Sequence, residues 1–183
     1  KLGHEDERVV TLTVERMASL RSVCEALKKN PPRGLIITGP GPDMFTAGAD
    51  VALIQRVTDP TEAAALAKEG QEIFDLIESL PCPTVAAISG PCVGGGCELA
   101  LACRIRLITD QKSSIIGLPE IKLGILPGFG GTQRLPRLIG LPKALDIILA
   151  GKTLRPKAAW SYGLVHEVLG VAQLSARAEA LAL

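Results

Sequence analysis

The sequence predicts an α/β fold with mainly crossover connections. Short β-branched or apolar runs alternate with segments of helical period along the chain. Clusters of proline and glycine close most of these runs. Several runs are apolar on both alternate faces, as buried parallel strands are. Residues 9–14 (VVTLTV) are β-branched and read as a first strand. Residues 15–30 place Met17, Leu20, Val23, Cys24 and Leu27 at helical spacing, and Pro31-Pro32 stops that helix. Residues 35–38 (LIIT) form a buried strand that opens into the loop Gly39-Pro40-Gly41-Pro42. Residues 61–80 are a long helix, with Thr61 or Asp59 as cap and Pro81-Cys82-Pro83 as stop.

Residues 84–89 (TVAAIS) are the next buried strand, and residues 90–96 a glycine-rich turn. A short helix over 97–103 and a strand over 104–109 (RIRLIT) follow. A second glycine-rich loop, residues 124–131, opens a helix at Thr132. Residues 142–150 and 156–162 read as helices, 164–169 as a strand, and the alanine-rich end as a helix. No fixed-period repeat or low-complexity segment interrupts this order, so residues 1–183 are read as one domain, largely helical from about 131.

Composition removes several function classes. Hydrophobic residues make up 47% of the 183 residues and charged ones 21%, which is globular and not disordered. Aromatic residues are 3%, so the core must be aliphatic. A net charge of +1 argues against a nucleic-acid surface or a polybasic membrane patch. No apolar run approaches a membrane span, and the charged opening segment is not a signal peptide. The five cysteines form no C-x-x-C, and the two histidines are far apart. Buried free thiols in a reducing compartment are the simpler reading than zinc or disulfides. A cytoplasmic or organelle-matrix protein is expected.

Three segments combine glycine with a polar group. Met44-Phe45-Thr46-Ala47-Gly48-Ala49-Asp50 lies after a buried strand, where α/β proteins place ligands; Asp50 as a plain helix cap fits equally. Gly94-Gly95-Gly96-Cys97-Glu98 brings backbone N–H groups to a helix N-terminus, where they can hold an oxyanion. Glu98 in the first turn also suits ordinary helix stabilisation. Taken alone, Glu120 reads more simply as a surface carboxylate paired with Lys122 or an arginine; burial in the apolar, proline-stiffened stretch Ile116-Gly117-Leu118-Pro119-Glu120 would instead raise its pKa, as a proton-transfer group needs. Phosphate-loop and dinucleotide patterns are absent, as is G-x-S-x-G. His4 and His166 both look structural, and Trp160 and Tyr162 read as late core or interface residues.

In combination these segments are more specific. Ala47-Gly48-Ala49-Asp50, then Gly94-Gly95-Gly96-Cys97-Glu98-Leu99-Ala100, then Gly117-Leu118-Pro119-Glu120 running into Leu123-Gly124-Ile125-Leu126-Pro127-Gly128-Phe129-Gly130-Gly131-Thr132 occur in this order. The chain resembles the crotonase family of enoyl-CoA hydratases and isomerases, from about Glu15 to Val168. Within it, the chain most resembles the hydratase/isomerase part of the fatty-acid oxidation complex α-subunit. The resemblance implies a spiral of ββα units with C-terminal helices, and a homotrimer or dimer of trimers. It implies an oxyanion hole from the N–H groups of Ala49 and Gly95, and catalytic glutamates at Glu98 and Glu120. Ala47, Ala49, Asp50, Val51 and Gly95 would contact the substrate, an acyl-CoA thioester. CoA is then part of the substrate, and neither a metal nor a redox cofactor is implied.

The implied reaction adds water across a 2-enoyl-CoA, with Glu98 activating the water and Glu120 exchanging a proton with C2. Two glutamates favour a hydratase over a pure isomerase. Two departures from the family are visible. The second strand and asparagine-containing loop usual after the first strand are missing, and the C-terminal helical region is short. Arg104 stands where the family commonly has aspartate, which touches local structure and not chemistry.

Overall fold

A computed structural model of the chain describes residues 1–183 except Glu5 and Arg8, which fall in the charged opening segment and lie outside the description. The expected first strand is not one. Leu12 makes a single parallel bridge to Ala49, and the Thr13 hydroxyl accepts the Arg16 N–H at 3.3 Å, capping α1 (Val14–Lys29). A side-chain cap here outcompetes the β-branched propensity of the run. β1 (Leu35–Thr38) leads through a loop to α2 (Val51–Arg56) and α3 (Pro60–Glu78), capped by the carboxylates of Asp50 and Asp59. β2 (Thr84–Ile88) follows, and the expected turn at 90–96 contains a strand of its own, β3 (Pro91–Val93). Next come α4 (Gly95–Ala102), β4 (Ile105–Thr109), β5 (Ile115–Gly117) and a 3₁₀ turn (Glu120–Leu123). The remainder is α5 (Gly131–Ile139), α6 (Leu141–Leu149), β6 (Thr153–Leu154), α7 (Pro156–Tyr162), β7 (Glu167–Leu169) and α8 (Val171–Ala182).

The strands divide between two sheets. One is parallel, in the order β1-β2-β4-β7; the other is ordered β3-β5-β6. β2 and β4 are neighbours in the first sheet, and the strands that follow them, β3 and β5, are neighbours in the second. Thr46, in the loop after β1, bridges Cys92 of β3, so this loop takes the place of an earlier second strand. Twice in succession, at β2-β3 and at β4-β5, the chain lays one strand in each sheet before a helix, as in the expected spiral of ββα units.

Both faces of the parallel sheet are covered, which explains its uninterrupted apolar runs. Ala86, Ile88 and Ile108 face the main core, while Val85, Ala87 and Leu107 pack against Leu174, Ala178 and Ala182 of α8. All five cysteines are buried and free. Trp160 is 60% exposed and so is not a core residue; Tyr162 is half-buried against the core, beneath the Lys143 ammonium. No helix among the described residues is long and apolar enough to cross a membrane.

Two polar arrangements fix the frame around α4. Ser89, Thr109 and Ser114 share a network with Gln111, whose amide donates to Asp43 at 2.6 Å and ties down the loop after β1. At the far end of α4, the buried Arg106 guanidinium donates to the carbonyls of Ala100, Cys103 and Leu164. His166 has the structural place expected of it: its Nδ1 accepts the Arg106 N–H at 3.1 Å. Arg104 donates to the Leu80 carbonyl at 2.8 Å.

Candidate active site

The loop after β1 reaches the N-terminus of α4 because Gly48 permits it. Gly48 has φ +95°, and a Cβ there would sit 2.6 Å from the Val93 carbonyl oxygen and 3.1 Å from the Gly95 nitrogen. Thr46 steadies the approach, donating its hydroxyl to the Val10 carbonyl at 2.9 Å and accepting the Gly48 N–H at 3.2 Å. As a result, the direction in which a Gly95 side chain would grow ends 3.3 Å from the Ala49 nitrogen. Gly95 is the first residue of α4, so its N–H has no acceptor within the helix. Ala49 N–H likewise finds no acceptor among the described residues. Two free backbone donors therefore lie side by side at the positive end of a helix.

Two carboxyl groups join them. Glu98 projects from the first turn of α4 and is 2% exposed. Its Oε1 accepts two backbone N–H groups, from Phe129 and Gly131, each at 2.8 Å. Burial dominates its titration and pushes its pKa up to about 7, with the Gly131 N–H pulling the other way. Glu120 opens the 3₁₀ turn and is 9% exposed. Its Oε2 is buried with no hydrogen-bond partner, and burial raises its pKa above the usual carboxylate range. It pairs neither with Lys122 nor with an arginine among the described residues. An orphaned buried carboxyl oxygen is costly to keep, which marks a group held for something other than stability.

Ala49, Asp50, Gly95, Glu98 and Glu120 all line one cavity of about 340 Å³. Asp50 both lines it and caps α2, accepting the N–H groups of Ala52 and Leu53. Ala47 and Val51 do not line it: the Ala47 N–H is committed to the Val10 carbonyl, and Val51 is 41% exposed on α2. Apart from Glu69, the rest of the wall is apolar, and its α2 and α3 residues were not singled out in the sequence. Leu53 and Ile54 come from α2, Ala63, Leu66 and Ala67 from α3, and Phe129 closes the inner end. The available signal was the i, i+3, i+4, i+7 stripe Ala63, Leu66, Ala67, Gly70, which continues into the core as Ile73, Phe74 and Ile77. Chemically, the cavity offers paired N–H donors for an oxyanion, two carboxyls of raised pKa, and an apolar lining.

Comparison with known proteins bears on the fold and the family. The model of the family described as enoyl-CoA hydratase/isomerase matches residues 4–183. An enoyl-CoA hydratase from Bacillus anthracis is 35% identical with a TM-score of 0.87, covering 94% of this chain and 66% of its own. DspI from Pseudomonas aeruginosa is 35% identical with a TM-score of 0.86, covering 92% of this chain and 68% of its own. An enoyl-CoA hydratase from Geobacillus kaustophilus is 36% identical with a TM-score of 0.85, covering 91% and 62%. The chain thus spans about two thirds of the length of these proteins. With its sheets and helices in the arrangement of these structures and nearly its whole length matched, the chain belongs to the crotonase family of enoyl-CoA hydratases and isomerases.

Proposed function

We propose that this protein is an enoyl-CoA hydratase that adds water across the C2=C3 bond of a 2-enoyl-CoA. The observation that carries the reading is the pair of buried carboxyls, Glu98 and Glu120, lining one cavity with the Ala49 and Gly95 N–H groups. The thioester carbonyl accepts these two donors, and the apolar wall from α2 and α3 receives the acyl chain. Glu98, ionised above about pH 7, takes a proton from water as the water oxygen bonds to C3. The C2=C3 electron pair moves toward the carbonyl oxygen, giving a thioenolate held by the two N–H groups. A donor of this kind is worth about 10²–10³ in rate. Glu120, whose proton burial favours, delivers it to C2. A proton then returns from Glu98 to Glu120 to reset the site. CoA enters as part of the substrate, and the chemistry falls to residues of this chain.

Incubation with crotonyl-CoA should bleach the enoyl absorbance and add the mass of one water to the acyl-CoA. An unchanged mass with a moved double bond would assign the isomerase reaction, and released CoA would assign thioester hydrolysis. Binding with no turnover would assign a non-catalytic acyl-CoA-binding protein. Within this reading we place the activity in fatty-acid β-oxidation, as for the oxidation-complex α-subunit that the sequence resembles. We also propose a homotrimer: Leu141, Leu145 and Leu149 form an exposed apolar row along α6 suited to a subunit contact. Light scattering on the purified chain should give three times its mass, and a monomer at micromolar concentration would reject the trimer.

A further inference from the structure

Among the described residues, the Glu98 carboxyl accepts hydrogen bonds only from the Phe129 and Gly131 N–H groups, so whatever fixes the loop 128–131 fixes the carboxyl. α3 grips the loop at three points. Gln71 Nε2 donates to the Gly128 carbonyl at 2.8 Å. The Phe129 ring stands edge-on to Phe74, with centroids 5.6 Å apart, over Gly70, where a Cβ would overlap it. Arg134 supplies the third grip: Nη1 donates to the Phe129 carbonyl at 3.1 Å, Nε to Glu78 at 2.9 Å, and Nη2 to Asp75. The Arg134 side chain is largely buried and does not line the cavity.

We propose that Arg134 is a positioning residue of the active site. By joining the Phe129 carbonyl to Asp75 and Glu78 of α3, it fixes the loop whose two N–H groups hold Glu98. A guanidinium suits this task because its planar fork addresses several acceptors at once, which a lysine ammonium on a flexible stem does not. The charged and titratable groups around Glu98 are few. Arg134 approaches from α5 and Glu120 from the 3₁₀ turn. Cys97 adjoins on α4, its thiol kept neutral by burial. Glu69 of α3 and Asp50 ahead of α2 line the same cavity, while Asp75 and Glu78 are paired to Arg134. Loosening the loop removes N–H donors that favour the ionised Glu98, and removing the cation acts in the same direction.

The test uses the full chain with ¹³C-labelled glutamate, the Glu98 carboxyl signal being assigned by its loss in Glu98→Gln. Arg134→Met should raise the Glu98 midpoint by about one pH unit. Arg134→Lys, which returns the charge but not the fork, should recover less than half of that shift. On the hydratase reading, the acid limb of the rate profile follows the midpoint, kcat at pH 7 falls about fivefold, and KM changes less than about twofold. An unchanged midpoint with a lowered Tm would overturn the proposal, and so would full recovery in Arg134→Lys, which would make the cation alone responsible. Should Arg134→Met not fold, the pair Asp75→Ala and Glu78→Ala leaves the guanidinium in place and unties it from α3. A smaller upward shift supports the clamp, and no shift refutes it. Absence of enoyl-CoA turnover in the unmodified protein would instead remove the hydratase reading, and the carboxyl titration would still decide the clamp.

Discussion

Glu98 and Glu120 line the same cavity, yet they are supported in opposite ways. Glu98 hangs from a helix, and one of its oxygens is saturated by two backbone donors. Glu120 stands on a short 3₁₀ turn, with a buried oxygen that no group satisfies. Both titrate above the normal carboxylate range, because burial outweighs every other influence on each. The difference teaches that one carboxyl is oriented by donors that favour its anion, while the other keeps a buried oxygen that no donor satisfies. On the hydratase reading, a base and an acid are thereby made from the same residue type.

Four experiments can break or sharpen this contrast. Glu120→Gln should have the largest effect, lowering the hydration rate by about 10²–10⁴-fold, since an amide cannot deliver the proton. Glu98→Gln should cost somewhat less, about 10²–10³-fold, because the amide oxygen can still accept the Phe129 and Gly131 N–H groups and keep the loop in place. Equal losses in steady-state assays would erase the distinction between the two.

Gly131→Ala and Gly94→Ala probe the two supports from outside. A Cβ on Gly131 would stand 3.0 Å from Glu98 Oε1, and one on Gly94 3.3 Å from Glu120 Oε1. Each should lower kcat by about tenfold. Gly94→Ala should also lower Tm more, because its φ of +56° strains any side chain. The smallest effect is on stability against pH. Glu98 has a folded pKa raised to about 7, so the stability it contributes is complete below its unfolded value and is lost as pH rises through about 7. Melting curves should therefore show Glu98→Gln gaining roughly 5 °C over the unmodified protein at pH 8 and almost nothing at pH 4. A constant difference across that range would mean that Glu98 titrates normally.

The polar half of the site was legible because its elements are local. Glycines beside a carboxylate at a helix start advertise free N–H groups, which drew attention to Gly95 and Glu98; Glu120 stood out by its apolar, proline-stiffened stretch, and the roles of all three came from the resemblance. Ala49 needed the resemblance, since nothing in its own neighbourhood says that Gly48 will turn the loop onto Gly95. The apolar half was hidden for a different reason. The α3 stripe was visible as a helix face, but periodicity cannot say that Ala63, Leu66 and Ala67 border a cavity while Ile73 and Ile77 are packed. The long strands were read within a residue or so, whereas β3, β5 and β6 are too short to show a period of their own. Residues 9–14 failed in the opposite sense: their β-branched composition suggested a strand, but Thr13 was already committed to capping α1.

The cation at the far end of α4 has a consequence for the near end. Arg106 neutralises the carbonyl pole of that helix, and among the described residues no carboxylate accompanies it there. The titratable groups beside it are the thiols of Cys92, Cys97 and Cys103, which burial keeps protonated, and His166, whose charged form burial and this cation both disfavour. α4 therefore acts as a source of positive potential at one end only, the end carrying Gly95. Negative charge appearing on an oxygen there meets a field already in place, without any rearrangement of the protein to create it.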